Sequence, residues 1–302
     1  MKIEKKFLKK ILPIALVITA AVLVLSGIFI QRLDKNVSQK TVPEVEPQRI
    51  VSLAPNITEI LFELGIGNRV VAVSNDCDWP AEAKNREQVG SFWQPNVEAI
   101  IASKPDLVIT LWFQQQSNVA DTLRRLGYNV LTLKLEKLDE LEPAIEKIGA
   151  ATGHKAEAEK LIDRIYSQIN HVKQKYENQE RPLVLWVVQP QPLRVAAGDT
   201  FITELLALAG AENTISSTRY QYPGLSREEI LTCGADVIIQ AAMYKDNIER
   251  QKQEAFAFWS EYQNLPAVQN GRIYIVESDT ILRLGPRIGF GLEQMGQVIH
   301  EP

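Results

Sequence analysis

The chain has 302 residues, 45% of them hydrophobic and 23% charged, with a formal net charge of −4. That length accommodates two domains of ordinary size, and the composition excludes a disordered or fibrous chain. Residues 1–32 carry six basic residues against Glu4, leaving 27 of the 33 basic and 36 of the 37 acidic residues, a net of −9, in a body too acidic for a nucleic-acid partner.

Residues 1–10 form a basic tail ahead of ILPIALVITAAVLVLSGIFI, residues 11–30, which contain no charge. At ~1.5 Å per residue a helix of this length spans a hydrocarbon core. The segment lacks the short apolar region and A-x-A-like exit of a cleavable leader, and Ile28 stands where LVLSG would need the acylated cysteine of a lipoprotein. It reads as an uncleaved transmembrane signal anchor, with a cleaved signal peptide as the alternative. The lysines before it place the body outside the cytoplasm, on the periplasmic or outer face of a bacterial membrane. Residues 31–47, polar and proline-containing, read as a linker from membrane to body.

Residues 48–135 are expected to form a first α/β lobe, in which RIVSLAP, VVAVS, DLVIT and NVLTL are strand-like. Residues 136–180 are expected to be connecting helices. Ala158, Leu161, Ile165, Ile169, Val172 and Tyr176 recur there at steps of three and four, which predicts one long amphipathic helix of roughly 20 residues and ~30 Å. Residues 181–302 are expected to form a second lobe, with PLVLWVV, DVIIQ and RIYIVE as strands. Short apolar runs alternating with amphipathic helices predict parallel sheets covered by helices.

The two lobes share a repeat. ITEILFELGIGN begins at Ile57 and ITELLALAGAEN at Ile202; EAIIASKPDLVI begins at Glu98 and EEILTCGADVII at Glu228, with Asp106 and Asp236 eight positions after each glutamate. Matched blocks in the same order predict two lobes of related construction. Gly65, Gly67 and Gly210 follow helices and read as C-caps rather than phosphate loops.

A cleft between two such lobes is the natural ligand site, lined by loops at the C-terminal ends of the strands. Those loops contain Asn56, the 76–79 segment, Phe92 to Gln94, Trp112 and Phe113, Arg219 to Tyr222, and Arg283 to Arg287. Phe92, Trp93 and Tyr222 are assigned to the pocket, because flat aromatic faces beside prolines in turns suit a large conjugated ligand. Trp186, inside a strand, is assigned to the core. Arg287, after Gly-Pro, is expected to point inward as a multi-donor fork, and Arg283 to be solvated.

Asn96 is expected to cap a helix with Glu98 in its first turn, and Ser226 to form a capping box with Glu229. The residue pattern leaves Glu98 and Glu228 open between two roles: acids that complement the helix dipole, or matched grips for a basic partner. No catalytic signature such as HExxH or GxSxG occurs, and three dispersed histidines (His154, His171, His300) do not make a metal cage. The chain is read as a non-enzyme without metal or resident cofactor. Cys77 and Cys233 either pair or remain independent thiols.

RIVSLAPNITEILFELG, DCDWPAEAKNREQVGSFWQPNVEAIIASKPDLVI, AGDTFITELLALAGAEN and RLGPRIGFGLEQM lie within roughly residues 48–300. Together they resemble the helical-backbone (class III) substrate-binding proteins of ABC importers, which bind vitamin B12, haem and ferric siderophores, and most of all the vitamin B12-binding branch. The resemblance implies two lobes joined by one long rigid helix, limited closure, a monomer, and a corrinoid such as cobalamin held between the lobes. It implies ligand contacts at Trp93, Trp112, Tyr222 and Arg287, and docking of Glu98 and Glu228 onto arginines of an ABC permease. Two departures keep a haem or ferric siderophore open as the ligand. Tyr222 stands where the B12 binder has a tryptophan, and ESDTILRLGPR lacks that branch's aromatics. A membrane-tethered sensor, or a tetrapyrrole enzyme of nitrogenase-like or chelatase-like fold, are the readings from other classes.

Overall fold

The computed structural model describes residues 46–243, 247–277 and 279–301. The expected basic tail, the signal anchor and all but the last two residues of the linker lie outside the described residues. Among the described residues no helix is long and apolar enough to cross a membrane.

The first lobe is a parallel sheet of β1 (Ile50–Ser52), β2 (Val70–Val73), β3 (Glu87–Gln88), β4 (Leu107–Leu111) and β5 (Val130–Leu133), in the order β3-β2-β1-β4-β5. Helices α1 (Pro55–Glu63), α2 (Val97–Ala102) and α3 (Gln114–Arg125) belong to the same lobe. Every residue of β1 and β4 is buried, which is why those runs are apolar without alternation. α1 starts on Pro55, whose fixed φ suits a first helical position, and the chain leaves it through Gly65 at φ 79°. Gly67 is not a C-cap: it opens a 3-10 turn, Gly67–Arg69, and a Cβ there would run into the Phe62 ring.

α4 (Leu141–Thr152) ends at Gly153 in the left-handed region, and α5 (Lys155–Tyr176) follows. α5 has 22 residues, about 33 Å at the helical rise, and all six residues of the expected apolar stripe are buried. They complete one continuous core that includes Ile57 and Ile109 of the first lobe and Trp186, Ile239 and Met295 of the second. The lobes are therefore packed through α5 on a shared apolar interior. Trp186 is fully buried, as a core residue should be.

The second lobe is built on β6 (Leu183–Pro190), β7 (Leu193–Val195), β8 (Glu212–Asn213), β9 (Val237–Ala241) and β10 (Ile273–Val276). β9 lies parallel to β6 on one side, with β10 parallel beyond it. The other side of β6 is divided: β8 runs parallel to its start and β7 antiparallel to its end. This hairpin departs from the expected parallel sheet for a simple reason. Only two residues join β6 to β7, and a parallel return needs a long crossover. α6 (Phe201–Leu208), α7 (Arg227–Thr232), α8 (Ile248–Trp259), α9 (Pro266–Gln269), α10 (Asp279–Leu282) and α11 (Ile288–His300) complete the lobe.

The repeat has a structural counterpart in each lobe. Asp106 carboxylate oxygens accept from the backbone N–H of Gln48 (2.8 Å) and Arg49 (3.0 Å), tying the start of β4 to the start of β1. Asp236 does the same for β9 and β6 by accepting from Leu183 N–H at 2.9 Å. Cys77 and Cys233 are both free thiols, so they are independent. Cys77 is buried, and burial pushes its thiol up, against the hydroxyls of Ser74 and Thr58.

Candidate functional site

The loop from Gly90 to Asn96 is a tight connection closed by a bridge between Gly90 and Pro95 and by Asn96 N–H donating to Val89 O at 2.8 Å. Gly90 has φ 96°, and a Cβ there would meet Gln94 O at 2.6 Å, so only glycine fits. At its tip the Phe92 and Trp93 rings meet edge to face at 4.9 Å. Phe113, at the start of α3, completes the group, 5.0 Å from Phe92 and 5.5 Å from Trp93. Phe113 stands next to the expected Trp112 but was not itself assigned a ligand role; its signal in the sequence is its place at the end of strand β4.

Trp93 is 62% exposed and Trp112 59%, whereas Phe92 is half-buried against the core. Two tryptophans presented to solvent at strand ends are an unsatisfied apolar surface of the kind that marks a binding site. The loop is held at both sides of Phe92. Its N–H donates to Asp76 Oδ2 at 2.6 Å and its carbonyl accepts from Gln116 Nε2 at 3.0 Å.

On the second lobe, Tyr222 is half-buried in a loop beside β7, its carbonyl accepting from Arg194 Nη1 at 3.1 Å. Burial pushes the Tyr222 phenol up and the Glu136 carboxylate adds to this, so the group stays a neutral donor at physiological pH. Tyr220 is exposed, with the Arg219 guanidinium 5.6 Å from its ring centre.

The arginines differ from expectation. Arg287 reaches across to α1 and binds Glu59 bidentately, Nε to Oε2 at 2.8 Å and Nη2 to Oε1 at 2.6 Å, with its guanidinium 4.7 Å from the Trp79 ring centre. Arg283 is not a solvated surface residue: Nη1 lies 2.6 Å from Asp78 and 3.6 Å from Glu59, and Nη2 3.4 Å from Asp279. Burial opposes the Arg283 charge, but these carboxylates outweigh it and raise the group's pKa. The reason is Glu59, only 2% exposed, whose carboxylate on α1 meets its cationic partners in the 283–287 loop. Asn56 Nδ2 donating to Leu284 O at 3.1 Å adds a further tie between the lobes.

Both expected helix caps form. Asn96 Oδ1 accepts from Glu98 N–H (2.9 Å) and Ala99 N–H (3.1 Å), while Ser226 and Glu229 exchange reciprocal bonds at 3.2 and 2.7 Å. Glu98 and Glu228 each occupy the first turn of their helix, exposed. A groove of about 490 Å³ flanks α1, lined by Glu59, Phe62, Glu63, Trp79 and Arg86 among others, and none of the aromatic trio borders it. Two of its acids are already paired, Glu59 with Arg287 and Glu63 with Arg164 at 2.7 Å. Among the described residues no group of histidine, cysteine or acidic side chains could hold a metal.

Residues 50–280 match the family described as periplasmic binding protein. The chain is 27% identical over 261 residues to the vitamin B12-binding protein of Yersinia pestis (strain Pestoides F), covering 86% of this chain and 89% of that protein. It is 31% identical over 281 residues, 90% of this chain and 86% of the other, to the uncharacterized ABC transporter substrate-binding lipoprotein YvrC of Bacillus subtilis (strain 168). Among solved structures it matches a possible iron-binding (periplasmic solute-binding) protein from Staphylococcus epidermidis with a TM-score of 0.74 at 27% identity, covering 85% of this chain and 100% of that one.

Proposed function

The chain belongs to the periplasmic binding protein family, and we propose that it captures a corrinoid such as cobalamin between its lobes and delivers it to an ABC import permease. The observation that carries this reading is the exposed aromatic surface at the strand ends of the first lobe: Trp93, braced by Phe92 and Phe113, and Trp112. A corrin ring is broad and conjugated, so it gains from flat aromatic contact, and its peripheral amides suit a neutral phenol such as Tyr222. The similarity to the vitamin B12-binding protein supports the ligand class.

Glu98 and Glu228 are the proposed docking points for basic residues of the permease, one on each lobe. Residues 11–30 tether the protein, a monomer, to the membrane with its body outside the cytoplasm. The second reading is a ferric-siderophore or haem binder, favoured by the exposed Tyr220 beside Arg219, a phenol and a cation suited to an iron-bearing acidic ligand.

Titration of the full-length protein with cyanocobalamin, haemin and a ferric siderophore, followed by calorimetry, decides between them. One-to-one submicromolar cobalamin binding supports the first reading; binding of haemin or siderophore alone transfers the assignment to the second. A Glu98→Ala/Glu228→Ala double variant should bind ligand normally and lose uptake. Retained uptake would favour a sensor over an importer component.

A further inference from the structure

We infer that Asp76 and Gln116 are positioning residues of the ligand cleft, gripping the Phe92 backbone from both sides so that Trp93 stands in its binding orientation before any ligand arrives. The effect on affinity rests on the ligand reading above; the effect on the loop does not.

An exposed aromatic at a loop tip is ordinarily mobile, because few contacts oppose the entropy of the loop. Here both backbone groups of the residue next to Trp93 are taken. Asp76 Oδ2 accepts from Phe92 N–H at 2.6 Å, a short bond to a charged acceptor. Asp76 is itself placed by the loop after β2, whose next acid, Asp78, is bound at 2.6 Å by Arg283 of the second lobe.

Gln116 supplies the other grip. It is fully buried, where an amide is unfavourable unless all its bonds are made. All four are. Oε1 accepts from Thr110 Oγ1 (2.5 Å) and Leu111 N–H (2.8 Å), and Nε2 donates to Leu53 O (2.9 Å) and Phe92 O (3.0 Å). The two backbone acceptors and the backbone donor fix which end of the amide is which. A leucine would fill similar space in this core, but it could not join the ends of β1 and β4 to the aromatic loop. The same first turn of α3 that carries Gln116 also follows Phe113, the ring beside Trp93, so one helix start braces the loop by its backbone and by its rings.

If only a fraction of molecules holds the loop in its competent form, apparent affinity falls by that fraction. Phe92 is one of nine phenylalanines, so selective 15N-phenylalanine labelling of the full-length protein reports its amide directly, with Phe258 on α8 as an internal reference. In ligand-free Asp76→Ala the Phe92 amide should exchange at least about tenfold faster while Phe258 is unchanged. Asp76→Asn, which keeps an acceptor, should restore most of the protection. Gln116→Met should show the same selective loss, and Asp76, being exposed, provides the variant whose fold is not at risk. Cyanocobalamin affinity of Asp76→Ala should fall about tenfold. Unchanged exchange at Phe92 in both variants overturns the inference. So does acceleration shared equally by Phe258, which would mean general destabilisation. If wild-type protein binds no cyanocobalamin, the ligand assignment fails while the exchange result still decides the positioning role.

Discussion

The I-T-E motif opens the same helix in both lobes, yet its glutamate does different work in each. Glu59 is buried on α1 and takes two bonds from Arg287, with Arg283 3.6 Å away. Glu204, its counterpart on α6, accepts one backbone N–H, from Leu138 at 2.9 Å. The threonines beside them behave alike: Thr58 Oγ1 donates to Ala54 O (3.1 Å) and Thr203 Oγ1 to Ala197 O (2.9 Å). Contacts internal to a lobe have kept their repeat, as Asp106 and Asp236 also show, whereas contacts that leave the lobe have diverged. The lobes are thus alike as scaffolds and unlike in how each is fastened to the rest of the molecule.

The largest expected effect breaks that asymmetry. Glu59→Gln takes the carboxylate from the partly buried Arg287 guanidinium, while Arg283 keeps Asp78 and Asp279, and should cost about 3 kcal/mol in urea unfolding, against about 1 kcal/mol for Glu204→Ala, which loses one hydrogen bond. Equal losses would show that the ion pairs contribute no more than the single bond. Next, Trp93→Ala should weaken cyanocobalamin binding about 30-fold and Tyr222→Phe about fivefold, by calorimetry, placing most of the contact energy on the first lobe. A reversed order would put the dominant surface on the second lobe.

The two caps give a smaller and more even pair. Asn96→Ala and Ser226→Ala should each cost about 1 kcal/mol, with Asn96 the larger because its side chain accepts two N–H groups where Ser226 accepts one. The smallest effect is on acid stability. Burial opposes ionisation of Glu140, but the Lys134 ammonium at 2.6 Å and the N–H groups of Glu136 and Lys137 hold its carboxyl below the ordinary value of 4.5. A carboxyl lowered in the folded state stabilises above its unfolded value, and the contribution is lost as pH falls from about 4.5 through the folded value. Lys134 is half-exposed, so the contribution is under about 1 kcal/mol after screening. Glu140→Gln should flatten the acid limb of a stability-against-pH curve, with the difference from wild type vanishing once pH is below the folded value. An unchanged acid limb would show that Glu140 has no part in it.

Much of the scaffold was legible because it is written in local pattern. The seven strand-like runs all became strands; the central ones, β1, β4 and β9, are buried throughout and so continuously apolar. The stripe from Ala158 to Tyr176 became one face of α5, and Asn96, Ser226 and Gly65 terminated helices by hydrogen bonds within a few residues of themselves. The short strands β3, β7 and β8 were not legible, because each of them is a strand only by pairing with a neighbour already in place. Of the candidate site, Phe92, Trp93 and Trp112 were visible as aromatics at strand ends, while Arg283, expected to be solvated, turned out to be bound by Asp78 and Glu59, partners that its spacing does not reveal.

Taken by itself, the sequence determined two related α/β halves, the helix between them, and the turns where aromatics emerge. Each of these depends on residues a few positions apart, whose side-chain period and capping chemistry act within one element. Only the tertiary structure decided that Glu59 meets Arg287, 228 positions away, and that Asp76 and Gln116 converge on Phe92 from 16 and 24 positions on either side. A buried carboxylate or amide must find its partners wherever the packed chain brings them, and sequence spacing carries no record of that distance.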